Sequence, residues 1–214
     1  MKFLKDNLVG VLFTIAAFVV VAAFYGQMPD RVPTHWNFRG VADGFMGKPW
    51  GPFFMPLMMS GMVVVFAAIR AVSPRTASVE PFGRVYSILV GALFAFFFVL
   101  TVAATLAGAG APVNMSKVVM TAVGALFVVL GNFMGKVTRN YFVGIRTPWT
   151  LENQEVWHRT HRLGGKVFVV AGLATILVVL LDLAVLALPI FVVTATVPVV
   201  YSYVIHRRLT RPST

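Results

Sequence analysis

The sequence predicts an all-α fold: a polytopic transmembrane helical bundle of about six spans, with the N- and C-termini both inside. Three observations carry this. Hydrophobic residues make up 58% of the 214 residues and charged residues 12%, at a mean hydropathy of +0.85, whereas a soluble domain carries about 25% charged residues. The apolar residues fall into runs of bilayer length separated by short polar stretches. Lys and Arg gather in alternate polar stretches, as the positive-inside rule requires.

The first apolar run, near 8–25, follows Lys2 and Lys5 and mimics a signal peptide. Its apolar length of about 17 residues exceeds an h-region of roughly 7–15, and Ala22-Ala23-Phe24-Tyr25 is a poor cleavage site. It reads as a retained span. Further spans are expected near 53–72, 85–107, 117–131, 166–186 and 189–205. The last two share an apolar stretch from Val167 to Ile205, which as one helix would measure about 58 Å, roughly two hydrocarbon cores. The chain must turn back, and Pro189 is the expected breaker.

With six spans and both ends inside, 14 Lys and Arg fall on the inner segments and 4 on the outer ones. The net charge of +11 is thus placed for a membrane surface rather than for nucleic acid, and no direct nucleic-acid contact is expected. Absence of cysteine excludes disulfides, iron–sulfur clusters and thiol chemistry. Four segments follow: 1–72, two spans with an outer loop at 27–52; 73–131, spans three and four; 132–165, an inner loop; and 166–214, spans five and six with a basic tail.

The outer loop, QMPDRVPTHWNFRGVADGFMGKPWGP, holds Pro29, Pro33, Pro49 and Pro52 among four glycines. That composition predicts a specifically shaped, turn-rich loop without helix, with Asp43-Gly44 as a turn signal. His35, Trp36, Asn37, Arg39 and Asp43 sit within it. They suit either a ligand-contacting lid or an interfacial aromatic belt.

In the inner loop, Thr147 can cap a helix that has Pro148 at its first position. Trp149, Val156, Trp157 and Leu163 recur at helical spacing, and Glu155 with Arg159 forms a favourable i,i+4 pair. Gly164-Gly165 should end it, leaving an amphipathic helix at the cytoplasmic interface. Arg146 can hold a lipid phosphate or clamp the chain where it re-enters the membrane. Asn132 and Asn140 can satisfy irregular backbone below the fourth span.

Metal chemistry finds no support. Glu155, His158 and His161 have i, i+3, i+6 spacing, which turns His161 about 120° away from Glu155, and no H-E-x-x-H arrangement is present. Asp182, the acid inside a predicted span, suits proton coupling or a place at the outer interface. No acid, base and nucleophile converge, so neither an enzyme nor a cofactor is expected.

The stretches G-N-F-M-G-K at 131–136, N-Y-F-V-G-I-R-T-P-W-T-L at 140–151 and V-W-x-x-T-H-R-L-G-G-K at 156–166 resemble the signature of the SdpI family. P-x-x-V-P-T-H-W-N-F-x-G at 29–40 and D-G-F at 43–45 resemble the small domain that precedes it in longer members. The resemblance implies a multi-pass protein of the bacterial inner membrane that confers immunity to a secreted peptide toxin. It also implies a signal to a cytoplasmic repressor. The implied partners are membrane lipids, a toxin peptide outside and a repressor inside; the ligand candidates add Tyr141, Trp149, Trp157 and His161 to the residues above. A small transporter or lipid-handling protein is the alternative, although midplane polar residues are scarce.

Overall fold

The computed structural model describes residues 2–72 and 82–210, with side chains for 8–69 and 82–210. The side chains of Lys2, Lys5 and Arg70, and all of Arg75 and Arg211, which the inner charge count includes, lie outside the described residues.

The chain is mostly helical and membrane-spanning. Helix α1 covers Lys2–Phe24, α2 Phe54–Val72, α3 Gly83–Gly108 and α4 Met115–Met134. A short α5, Pro148–Glu152, precedes α6, Gln154–Leu180, and α7, Ala187–Thr210. Five of these elements are long and apolar enough to cross a membrane, and the apolar part of α2, Phe54–Ile69, is a shorter sixth. The outer loop adds strands β1, Arg31–Trp36, and β2, Ala42–Gly47, paired antiparallel, which an all-α reading lacks.

Two compact units divide the chain, Met1–Ala68 with Val90–Val123 and Ile69–Leu89 with Gly124–Thr214. In the first, Ala17, Met59 and Phe94 are fully buried, with Phe13, Met62, Phe66, Phe97 and Phe98 packed around them. Gly10 makes room for Phe94, since a Cβ there would stand 2.9 Å from the ring. Lipid offers no hydrophobic gain for helix association, so close van der Waals fit of this kind must supply it.

In the second unit α4 and α6 touch backbone to backbone. A Cβ on Gly131 would lie 2.6 Å from the Gly165 carbonyl oxygen, and one on Gly172 would lie 2.4 Å from that of Gly124. Gly124 and Gly131 are seven residues apart, as are Gly165 and Gly172, so two matching small-residue steps meet in an antiparallel pair.

The helix ends correct three expectations. Gly164 and Gly165 do not stop the amphipathic helix. They lie buried inside α6, which runs without a break from the polar loop into the apolar span; Gly165 lets α6 approach Gly131 of α4, and Gly164 makes room for Ile145 and Met134. The reversal before α7 comes at Leu181–Leu183 and not at Pro189, which sits in the first turns of α7, where a missing N–H costs nothing. Asp182 is therefore not inside a span. It adopts φ 60°, and the Asp182 and Leu183 N–H groups donate to the Val179 and Val178 carbonyls at 3.2 and 2.7 Å. This is a Schellman closure with aspartate at the left-handed position, a conformation short polar side chains tolerate. Gly110, φ +90°, ends α3 in the same way, its N–H donating to Ala107 and that of Ala111 to Leu106.

Candidate functional site

The expected site residues lie in both units. In the first unit they build the hairpin. Asn37 opens the turn: its side-chain oxygen accepts from the Arg39 and Val41 N–H groups at 2.9 and 3.2 Å, while its backbone N–H donates to the Val41 carbonyl at 2.9 Å. The turn thus lies at Asn37–Gly40, and Asp43-Gly44, expected to be a turn, is part of β2. A cross-strand contact explains this. His35 Nδ1 and Asp43 Oδ1 are 2.5 Å apart across the ladder, and Gly44 pairs with His35, whose Cβ stands 2.8 Å from where a Cβ would be. Trp36 is half-buried and Arg39 exposed.

The hairpin is anchored at both ends. Ser116 Oγ donates to the Phe38 carbonyl at 3.1 Å. Lys48 donates to the Met28 carbonyl at 2.7 Å and lies over the Tyr25 ring. Its outer surface is apolar: Phe38, Val41, Phe45 and Trp50 are all exposed, Trp50 to 70%.

The inner candidates form a braced knot. Asn140 is completely buried and uses its whole amide. Its nitrogen donates to the Thr138 and Val143 carbonyls, and its oxygen accepts from the Phe142 and Val143 N–H groups, all at 2.7–3.0 Å. Trp157 Nε1 donates to the Val137 carbonyl at 2.8 Å, and the indole stacks on His161 at 4.0 Å between centroids. His161 Nδ1 donates to the Trp157 carbonyl, and Nε2 accepts from the Ile145 N–H at 3.0 Å. The Nδ1–H tautomer satisfies both bonds. Gly144, φ +115°, passes so close to the ring that a Cβ would stand 2.4 Å from Nε2.

Helix α5 begins as the sequence predicts, with Thr147 as N-cap and Pro148 next, but it stops at Glu152. Asn153 then caps α6, its side chain accepting from the Glu155 and Val156 N–H groups. Arg139 donates to the Leu151 and Glu152 carbonyls, closing the α5 C-terminus. The expected Glu155–Arg159 pair forms at 2.6 Å.

Two hydroxyls that sequence reasoning missed, those of Thr150 and Ser202, join Thr147 in tying α5 to α7: Thr147 lies 3.1 Å from Ser202 and shares its cap with Thr150. Thr150 stands where a capping box usually has Glu or Gln, which hid the signal. Trp149 packs on Tyr203 and His206. Arg146, exposed, donates to the Tyr141 carbonyl at 2.6 Å, and the Tyr141 ring is 54% exposed. Asn132 opens to a cleft beside Arg162 and Lys166. Among the described residues no three His, Asp or Glu side chains group to hold a metal ion.

The SdpI/YfhL protein family matches residues 136–202, which cover this knot, α5, α6 and α7 as far as Ser202. A domain of unknown function, DUF1648, matches residues 12–60, which hold the hairpin. The chain is similar to the immunity protein SdpI of Bacillus subtilis (strain 168), at 25% identity over 169 residues, 79% of each chain. No solved structure matches the chain. Within residues 136–202, the buried Asn140, Trp157 and His161 hold loop backbone, while Tyr141 and Arg146 present groups outward, as does Asn132 just before them.

Proposed function

We propose that this SdpI-family protein protects its cell against a secreted, membrane-active peptide. It would lie in the bacterial inner membrane with the hairpin outside and the knot in the cytoplasm. The observation that carries this reading is the similarity to an immunity protein along 79% of the chain. Two features support it. The 14-to-4 division of cations favours that orientation. The hairpin exposes Phe38, Val41, Phe45 and Trp50, with His35 and Asp43 among them, and exposed apolar side chains of this kind suit contact with a peptide or lipid partner. The exposed Tyr141 and Arg146 on the inner face are the residues offered to a cytoplasmic repressor.

Gene deletion tests the reading. Cells lacking the protein should become more sensitive to peptides secreted by the same strain, and plasmid-borne wild type should restore resistance. Replacing Phe38, Phe45 and Trp50 with Ser should abolish rescue while membrane levels stay normal. Unchanged sensitivity to every co-produced peptide would refute the proposal.

A further inference from the structure

We propose that the cytoplasmic end of α6 holds an anionic phospholipid, its phosphate at Arg162 and Lys166 and one acyl chain in the groove between α6 and α7. This site is separate from the hairpin and from the braced knot, and it does not depend on the immunity reading.

Two clefts meet at Lys166. The first, of about 500 Å³, is lined by Gly131, Asn132 and Gly135 of the α4 end and by Arg162 and Lys166 of α6. Arg162 and Lys166 are one helical turn apart and share a face. The Arg162 stem lies along Gly135, 3.7 Å from where a Cβ would stand, so the glycine leaves the cleft open beside the guanidinium. Both cations are exposed. Among the described residues the nearby acid, Glu155, is taken by Arg159, and neither Arg162 nor Lys166 forms an ion pair. Asn132 adds an amide to the same cleft.

The second cleft, of about 520 Å³, runs from Lys166 between α6 and α7. Val167, Val170, Ala171 and Ala174 line one wall, and Ile190 and Val193 the other. Lys166 and Val170 border both clefts. Lys166 is also the last charged residue before the uncharged run 167–181, which places it where hydrocarbon gives way to headgroups. From Lys166 to Ala174 the groove extends about 12 Å along the helix, most of a leaflet's hydrocarbon depth of roughly 15 Å.

The chemistry follows from that layout. Two unneutralised cations and an amide at headgroup depth suit a phosphodiester, which takes charge-assisted bonds from both. An apolar channel starting at the same lysine suits the attached chain. A zwitterionic lipid satisfies the groove but leaves net positive charge on the cleft, so the site prefers a phosphatidylglycerol-type headgroup.

The test is native mass spectrometry of the full-length protein released from nanodiscs of equal phosphatidylglycerol and phosphatidylcholine. Retained phosphatidylglycerol should exceed phosphatidylcholine on the order of tenfold, given the attraction of two interfacial cations. Arg162→Gln with Lys166→Gln should remove the preference, whereas Arg162→Lys with Lys166→Arg should keep it. Ala174→Phe, which fills the groove, should lower retention with both cations intact. Arg207→Gln with Arg208→Gln, cations on α7 that line neither cleft, should change nothing. Thermal melting of each variant reports its folding. Equal retention of both lipids, or an equal loss in the α7 variant, would overturn the proposal. So would competition by millimolar inorganic phosphate that Ala174→Phe leaves unaltered, because the site would then bind free phosphate.

Discussion

Asn140 carries more structure than its size suggests, because one buried amide closes four backbone bonds in the loop before α5. Asn140→Asp keeps the shape but removes both donors. It should cost about 1–3 kcal/mol for each carbonyl left unpaired, read as a lowered midpoint in thermal unfolding of purified protein. Gly144→Ala should be worse tolerated, since it combines a left-handed backbone with a methyl group on the His161 ring; strain alone is worth about 1–3 kcal/mol. At Asp182 the expected order is that of a helix end rather than that of an acid inside a span. Asp182→Gly should hold or raise stability and Asp182→Asn should leave it unchanged, while Asp182→Val should lower it, because the position serves a left-handed helix end. A proton-coupling role would instead make Asn and Gly variants inactive with normal folding. Sequence alone assigned Asn140 to irregular backbone without naming its partners, and it did not show what Gly144, His161 or Asp182 do. Asn140 and His161 are polar side chains whose partners are backbone atoms, and composition carries no record of which carbonyl a side chain meets.

Helices were legible because bilayer thickness fixes their length, so α1, α3, α4, α6 and α7 stand close to the expected apolar runs. Their ends were less so. Gly164-Gly165 has the composition of a helix stop, yet in the structure it serves contact with Gly131, and only the facing helix distinguishes the two uses. The hairpin escaped notice for a related reason. Pro33 and the glycines suppress the strand signal, and a two-stranded sheet is all edge, where proline is admitted. Contact between α4 and α6 yields a direct test: Gly131→Leu or Gly172→Leu should destabilise by about 1–3 kcal/mol through overpacking. Gly61→Leu, whose Cβ would meet nothing within 4 Å, should be near neutral in the same thermal assay.

Across the whole chain, charge and apolar length together predict a weave with both ends inside. Alkaline phosphatase fused after Arg39 should be active and a fusion after Tyr141 inactive, with green fluorescent protein giving the opposite pattern. Activity of both phosphatase fusions would remove the orientation on which the outer and inner roles depend.

One feature of this weave has a mechanical side. Since α6 passes through the membrane boundary with no joint at Gly164 or Gly165, it behaves there as a lever. Its polar arm, from Gly165 back to Gln154, is about 16 Å long, so tilting the rod by about 10° swings the tip by roughly 3 Å. Trp157 and His161 ride on that arm and grip Val137 and Ile145, so whatever leans on α6 within the lipid also drags the loop carrying Tyr141 and Arg146.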